Sequence, residues 1–226
     1  VPRRYDRAFA FRKATAEDYR ARLLSTWPAC TISDPKQDPD LVVGAYPVGE
    51  KTDEQLLDDL ARLPIDHSVA PVWHTPGGTR AAQARWATFR DEGLSTYHAL
   101  RNDAAVDPPR GVSRLSPYLH YGCISPLKVA RESALAGGKG GEKFLDELFV
   151  WRELAHNFCY HTPDLNSLAA LPSWACDTLT EHANDPRPDV FSWDTLAHAK
   201  TGNELWDRAQ RSLLIHGELH NNVRMT

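Results

Sequence analysis

The sequence predicts a mainly α-helical fold of many helices, with a less regular stretch at its start. Two observations carry this. In "EKFLDELFVWRELAHNFCY", Phe144, Leu148, Trp151, Ala155 and Phe158 are spaced four, three, four and three apart and make one apolar face. Serine precedes proline at Ser116-Pro117 and Ser125-Pro126, and each pair reads as an N-cap with proline at the first helical position.

Taken in order, "TAED" (Thr15–Asp18) and "TDEQ" (Thr52–Gln55) predict capping boxes, each before a helical pattern. Between them, "DPKQDPD" predicts a loop and "LVVGAYPV" a short extended stretch. "LPIDHSVAPVWHTPGG" (Leu63–Gly78) has three prolines and no period, and predicts a linker. "TRAAQARWATFRDEGLSTYHALRN" predicts one long helix carrying Trp86, Phe89 and Tyr97. Further helices are expected to start near Ser173, Ser192 and Asn203, with "KTGN" as the turn between the last two.

The 226 residues suffice for one domain or one and a half. Apolar content of 42% and charged content of 25% are ordinary for a folded protein. No apolar run approaches a membrane span, and "VPRRYDR" lacks the apolar core of a signal peptide. The four cysteines, Cys30, Cys123, Cys159 and Cys176, are far apart and form no CxxC. A reduced intracellular setting with small buried thiols is expected: cytoplasmic, or nuclear or organellar in a eukaryote. The net charge of −4 gives no global pull on nucleic acid, so DNA binding requires a local basic patch. The chain opens on Val1, and "HNNVRMT" reads as the first turn of a helix; a piece of a longer protein is expected.

Four stretches carry candidate chemistry. "AGGKGGEKF" (Ala136–Phe144) has phosphate-loop residues but neither loop pattern, and no strand precedes it. A flexible connection between helices is expected there. "HGELH" puts His216 and His220 four apart, but Gly217 stands where the metalloprotease motif needs glutamate, and no third ligand is evident. "SRLS" (Ser113–Ser116) has the parts of a phosphate cradle: two hydroxyls, an arginine and the free N–H groups of a helix start. On those residues alone, a capped helix with a solvated arginine is the simpler reading. Glu147 and Trp151 lie four apart, with Arg152 following. Spacing alone reads them as a surface glutamate beside a core tryptophan.

Together these stretches resemble the photolyase/cryptochrome family, in the first half of its helical FAD-binding domain. Tyr97 followed by "RND", then "GVSRLSPYLHYGCISP", resembles the family's Tyr…Arg-Asn…TSRLSPYLHFGxISP signature, with Val112 where many members carry threonine. "FLDELFVWRELAHNFCYH" resembles the helix that faces flavin and lesion, and "TGNELWDRAQRSLLIHGELHNNVRM" the TG…DAxxR…HNRVRM segment. Glu147 and Trp151 are one residue further apart than in the commonest bacterial photolyases, and that helix resembles the class II cyclobutane-dimer photolyases. "HNNVRM" is closer to the other classes, whereas Glu218 and Leu219 stand where class I members usually show tryptophan and methionine.

The resemblance covers roughly Gly77 to Thr226 and implies three parts. Residues 1–62 would be the tail of the family's N-terminal α/β antenna domain with its connecting segment, 63–78 a linker, and 79–226 the FAD-binding helical domain, cut short at its end. It implies FAD as cofactor and leaves the antenna pigment open. Tyr97, Ser113, Arg114, Leu115 and Ser116 would hold FAD, with Arg152 also on the cofactor and Arg224 near the isoalloxazine. Glu147 would hydrogen-bond a pyrimidine dimer and Trp151 stack on it. Arg101, Asn221 and Asn222 would join them on DNA. The partner implied is DNA containing pyrimidine dimers, the oligomeric state a monomer, and the activity light-driven dimer splitting by a deoxyribodipyrimidine photo-lyase. A blue-light photosensor acting through a partner protein is the rival.

Overall fold

The computed structural model describes residues 1–25 and 48–225, and among these there is no β-strand. They fall into two compact units, Val1–Ser25 with Trp73–Thr226, and the smaller Thr26–Val72. The helices are α1 (Ala8–Leu24), α2 (Asp53–Ala61), α3 (Thr79–Thr88), α4 (Tyr97–Leu100), α5 (Ser116–His120), α6 (Pro126–Ala136), α7 (Gly138–Asp146), α8 (Glu153–His161), α9 (Ser173–Glu181), α10 (Trp193–Ala197), α11 (Glu204–His216) and α12 (Asn221–Met225).

The smaller unit holds α2, whose capping box forms as expected: the Gln55 amide donates to Thr52 Oγ1 at 3.3 Å and the Thr52 amide to Gln55 Oε1 at 3.0 Å. The extended stretch expected over Leu41–Val48 lies, but for Val48, outside the described residues.

The larger unit differs from the expected segmentation. The first 25 residues belong with it rather than with residues 26–72. Helix α1 buries Phe11 and Thr15, Arg12 Nε donates to Asp146 Oδ1 at 2.9 Å, and Tyr19 stacks on Phe149 with ring centroids 4.6 Å apart. Thr15 is no cap. The helix begins seven residues earlier, at Ala8, and the Thr15 hydroxyl donates to the Phe11 carbonyl at 2.9 Å. Burying Phe11 and Thr15 on one face extends the helix past the local capping signal, and a buried threonine satisfies its hydroxyl against the preceding turn. The linker also divides. Residues 73–78 are tied to the larger unit by Arg85 Nη2 on the His74 carbonyl at 2.6 Å and Tyr118 Oη on the Pro76 carbonyl at 2.8 Å.

The core lies between α3, α5, α6 and α7. Trp86, Phe89, Leu94, Leu115, Val129 and Phe144 are buried there, and Phe144 meets Phe89 and Trp86 at centroid distances of 5.2 and 5.8 Å. The Trp86 indole N–H donates to Glu132 Oε2 at 2.6 Å. The long helix expected over 79–102 is interrupted after α3 by a π-helical turn, Phe89–Gly93, and a 3₁₀ turn, Leu94–Thr96. The glycine-rich stretch "AGGKGG" is not a flexible connection. Gly140 and Gly141 sit inside α7, buried, and a Cβ on Gly140 would lie 1.9 Å from the Leu94 carbonyl oxygen. Glycine is what lets α7 lie against the 3₁₀ turn.

A second π-helical turn, Glu147–Arg152, joins α7 to α8. It breaks the expected apolar face. Phe144 and Leu148 are buried, but Trp151 and Ala155 are exposed, and Val150 and Asn157 are buried instead. A π turn takes an extra residue per turn, so the inward register shifts after Leu148.

Of the other caps, Ser125, Ser192 and Asn203 accept from Lys128, Thr195 and Trp206 amides. Ser116 does not cap. It is the first residue of α5, and Leu115 holds the N-cap place. The "KTGN" turn is closed from within α11: Asp207 Oδ1 accepts the Thr201 amide and hydroxyl at 3.0 and 2.8 Å, and Oδ2 the Gly202 amide at 3.0 Å. Cys30 lies outside the described residues; of the others, Cys123 and Cys176 are half-buried and Cys159 exposed, all free thiols, so for these three the expected burial is not met. No helix among the described residues is long and apolar enough to cross a membrane.

Candidate functional site: a charged cluster around Glu147

Glu147 opens the second π turn, and the packing of α7 on the Leu94–Leu100 stretch sets what faces it. Arg101, at the end of α4, places Nη1 at 3.2 Å from Glu147 Oε1. Lys143, one helical turn before, places Nζ at 2.7 Å from the same oxygen. That oxygen is buried, yet no donor is aligned on it as a hydrogen bond. Both cations thus hold this oxygen by charge at short range rather than through an aligned hydrogen bond. Tyr97 lies edge-on against Phe89 and Phe144 at 5.7 and 5.2 Å. Burial pushes its phenol up to about 12, the Glu147 charge adds to this, and Arg101 partly offsets it. Tyr97 and Arg101, at the two ends of α4, are therefore brought to Glu147, which is distant in sequence.

Trp151 lies on the same turn as Glu147 and is 51% exposed, so its indole face is open. Its neighbour Arg152 turns toward α1. The guanidinium is ion-paired with Glu153 and acts on Tyr19, whose hydroxyl is held at about 12 mainly by burial and then by the Glu153 charge. These contacts place Arg152 on the α1 side.

The "SRLS" stretch has an unusual backbone. Arg114 takes φ +52°, in the left-handed region that non-glycine residues rarely adopt. Ser113 Oγ accepts the Leu115 amide at 3.4 Å. The Leu115 side chain is in the core, so only its backbone faces outward chemistry. Ser116 is exposed. The Arg114 guanidinium is paired with Glu218, and His74 Nε2, buried and without a hydrogen-bond partner, lies 3.9 Å from Glu218 Oε1. The side chain of Arg114 thus already grips a carboxylate. A guanidinium and two hydroxyls at a turned backbone suit an anionic diphosphate such as that of FAD, and Glu218 competes for the same cation.

At the C-terminal end, Asn222 Nδ2 donates to the Asn102 carbonyl at 2.6 Å, setting α12 beside Arg101. Arg224 Nη2 donates to Asn221 Oδ1 at 2.8 Å. His220 Nδ1 accepts the Asn222 amide at 3.2 Å, and its Nε2 is buried without a partner. Sequence reasoning passed over Lys143 and Glu218. The four-residue spacing of Lys143 and Glu147 on a helix was a usable signal for the first; nothing local points to the pairing of Glu218 with Arg114.

No family model matches the chain. Among curated proteins it is 38% identical over 159 residues to a deoxyribodipyrimidine photo-lyase of Oryza sativa subsp. japonica, covering 68% of this chain and 31% of that protein. It is 38% identical over 149 residues to that of Methanothermobacter thermautotrophicus (66% and 32%) and 32% identical over 168 residues to that of Potorous tridactylus (73% and 31%). The chain thus spans about a third of the length of these relatives. Among solved structures, a bacterial class III photolyase from Agrobacterium tumefaciens matches with TM-score 0.58 and 30% identity, over 75% of this chain and 34% of that one. Over the helical part that these matches cover, the chain belongs to the photolyase/cryptochrome family.

Proposed function

We propose that the protein is a light-driven DNA-repair enzyme that splits cyclobutane pyrimidine dimers with reduced FAD. The observation that carries this reading is the Glu147 cluster: a part-exposed glutamate whose buried Oε1 lies against Arg101, on the same π turn as an exposed tryptophan. The relatives named deoxyribodipyrimidine photo-lyase support it.

A lesion inside a base stack is out of reach, so the dimer is flipped out of the duplex. Trp151 offers a face on which it stacks. The Glu147 carboxylate accepts an N–H from the pyrimidine edge and fixes the dimer's orientation. Arg101 holds that carboxylate, and Asn221 and Asn222, beside Asn102, contact the strand. Ser113, Arg114, the Leu115 amide and Ser116 hold the diphosphate of FAD. Tyr97 packs nearby, and Arg224 completes the cofactor's surroundings. Reduced FAD, if held there, would supply light-driven one-electron chemistry for opening the two carbon–carbon bonds of the dimer, with no net redox change.

The test is loss of dimers from an irradiated oligonucleotide, incubated with the purified protein in blue light and in the dark. Repair in light alone supports the reading. Light-dependent changes in the flavin spectrum with no loss of dimers would favour the photosensor.

A further inference from the structure

Lys143 belongs to no part of the reading above. Its Nζ lies 2.7 Å from Glu147 Oε1 and 3.1 Å from Asp146 Oδ2, and Arg12 holds Asp146 from the other side at 2.9 Å. Arg101 approaches the same Glu147 oxygen at 3.2 Å. Lys143, Arg101, Glu147 and Asp146 are all between 21% and 29% exposed, so their charges are only partly screened. Two cations converging on one oxygen repel each other, which a helix-stabilising pair has no need of. What the arrangement does achieve is to fix the carboxylate: Glu147 cannot rotate without giving up both ion pairs, so the group keeps one orientation.

We infer that Lys143 is a positioning residue, which together with Arg101 holds the Glu147 carboxylate as an oriented acceptor for an N–H of the pyrimidine dimer. This rests on the reading of Glu147 as the lesion-facing group. Lys143 acts through Glu147 and needs no contact with DNA or flavin.

The experiment measures repair quantum yield at saturating dimer oligonucleotide, with dissociation constants for dimer-containing and intact DNA. It compares wild type, Lys143→Met, Lys143→Arg, Glu147→Gln and the Lys143→Met/Glu147→Gln double variant, with flavin content and circular dichroism confirming that each is folded. Lys143→Met is expected to lower the yield roughly two- to fivefold, the worth of a part-exposed ion pair, while Lys143→Arg restores it. The double variant is expected to be no worse than Glu147→Gln alone, as coupling through one group requires. Wild-type yield in Lys143→Met beside a depressed yield in Glu147→Gln overturns the inference and leaves the repair site standing. So does a double variant in which the two losses add. Weaker binding of damaged and intact DNA alike, with a shallower salt dependence and unchanged yield, makes Lys143 a phosphate contact and also overturns it. Wild-type yield in Glu147→Gln removes the underlying reading itself.

Discussion

Arg114 and Glu218 are 104 positions apart and their side chains are paired. The pair joins the turn before α5 to the loop before α12, and it sets two opposed demands on Arg114. If the guanidinium serves a diphosphate, Arg114→Ala with Ser116→Ala removes a charge and a hydroxyl together. Charge-assisted bonds are worth roughly 1.5–3 kcal/mol each, so flavin retention should fall by about tenfold or more. Glu218→Gln removes the competing carboxylate and should leave retention equal or higher. Fluorescence titration of FAD into the flavin-stripped protein measures both. Undiminished binding in the double variant would take the diphosphate away from this turn.

Gly140→Ala should destabilise the fold. The added Cβ meets backbone carbonyl oxygens of Leu94 and Ser95 at 1.9 and 2.7 Å, which cannot swing aside as a side chain would. Overpacking of this kind costs roughly 1–3 kcal/mol, a fall in Tm of about 2–4 °C per kcal/mol at this size. Gly77→Ala, with nothing within 4 Å of its Cβ, is the control and should melt near wild type. Thermal unfolding of the two variants decides.

Asp207 should make stability depend on acid. Its burial would raise the carboxyl's pKa, but the Thr201 hydroxyl and amide and the Gly202 amide outweigh this and hold it below the ordinary value. A carboxyl lowered in the folded state contributes stability that is complete above the unfolded value of about 3.9 and lost as pH falls through the folded value. Asp207→Ala should therefore lower Tm near neutral pH, and the gap to wild type should narrow as pH falls below about 4. A constant gap would show that the substitution acts by packing alone.

Local signals in the sequence were read correctly where the partner was local. Thr52, Ser125, Ser192 and Asn203 cap their helices because the amides they accept lie three residues on. Thr15 misled, since burial of Phe11 and of Thr15 itself carried the helix straight through it. The π turns at Phe89–Gly93 and Glu147–Arg152 were not legible, because an apolar pattern of four and three fits an α-helix until packing imposes the extra residue. Glu147 with Trp151 was visible as spacing. The family's motifs named Tyr97, Arg101, Glu147 and Asn222 singly, but that Arg101 and Tyr97 join Glu147, and that Asn222 reaches Asn102, was not legible, since periodicity says nothing about which distant segments meet.

The measurement that bears most directly on the account is repair per absorbed photon for Glu147→Ala beside Trp151→Ala, each with its dissociation constant for dimer-containing DNA. The carboxyl reaches the base edge and the indole its face, so the two losses should differ in kind. Glu147→Ala should lower the yield at saturating substrate while flavin content and absorption spectrum stay near wild type. Trp151→Ala should act mainly on binding, by roughly 1–3 kcal/mol, the worth of stacking a base on an aromatic ring. A Glu147→Ala enzyme with wild-type yield would contradict the account and leave Glu147 a glutamate paired with Arg101 and Lys143 and nothing more.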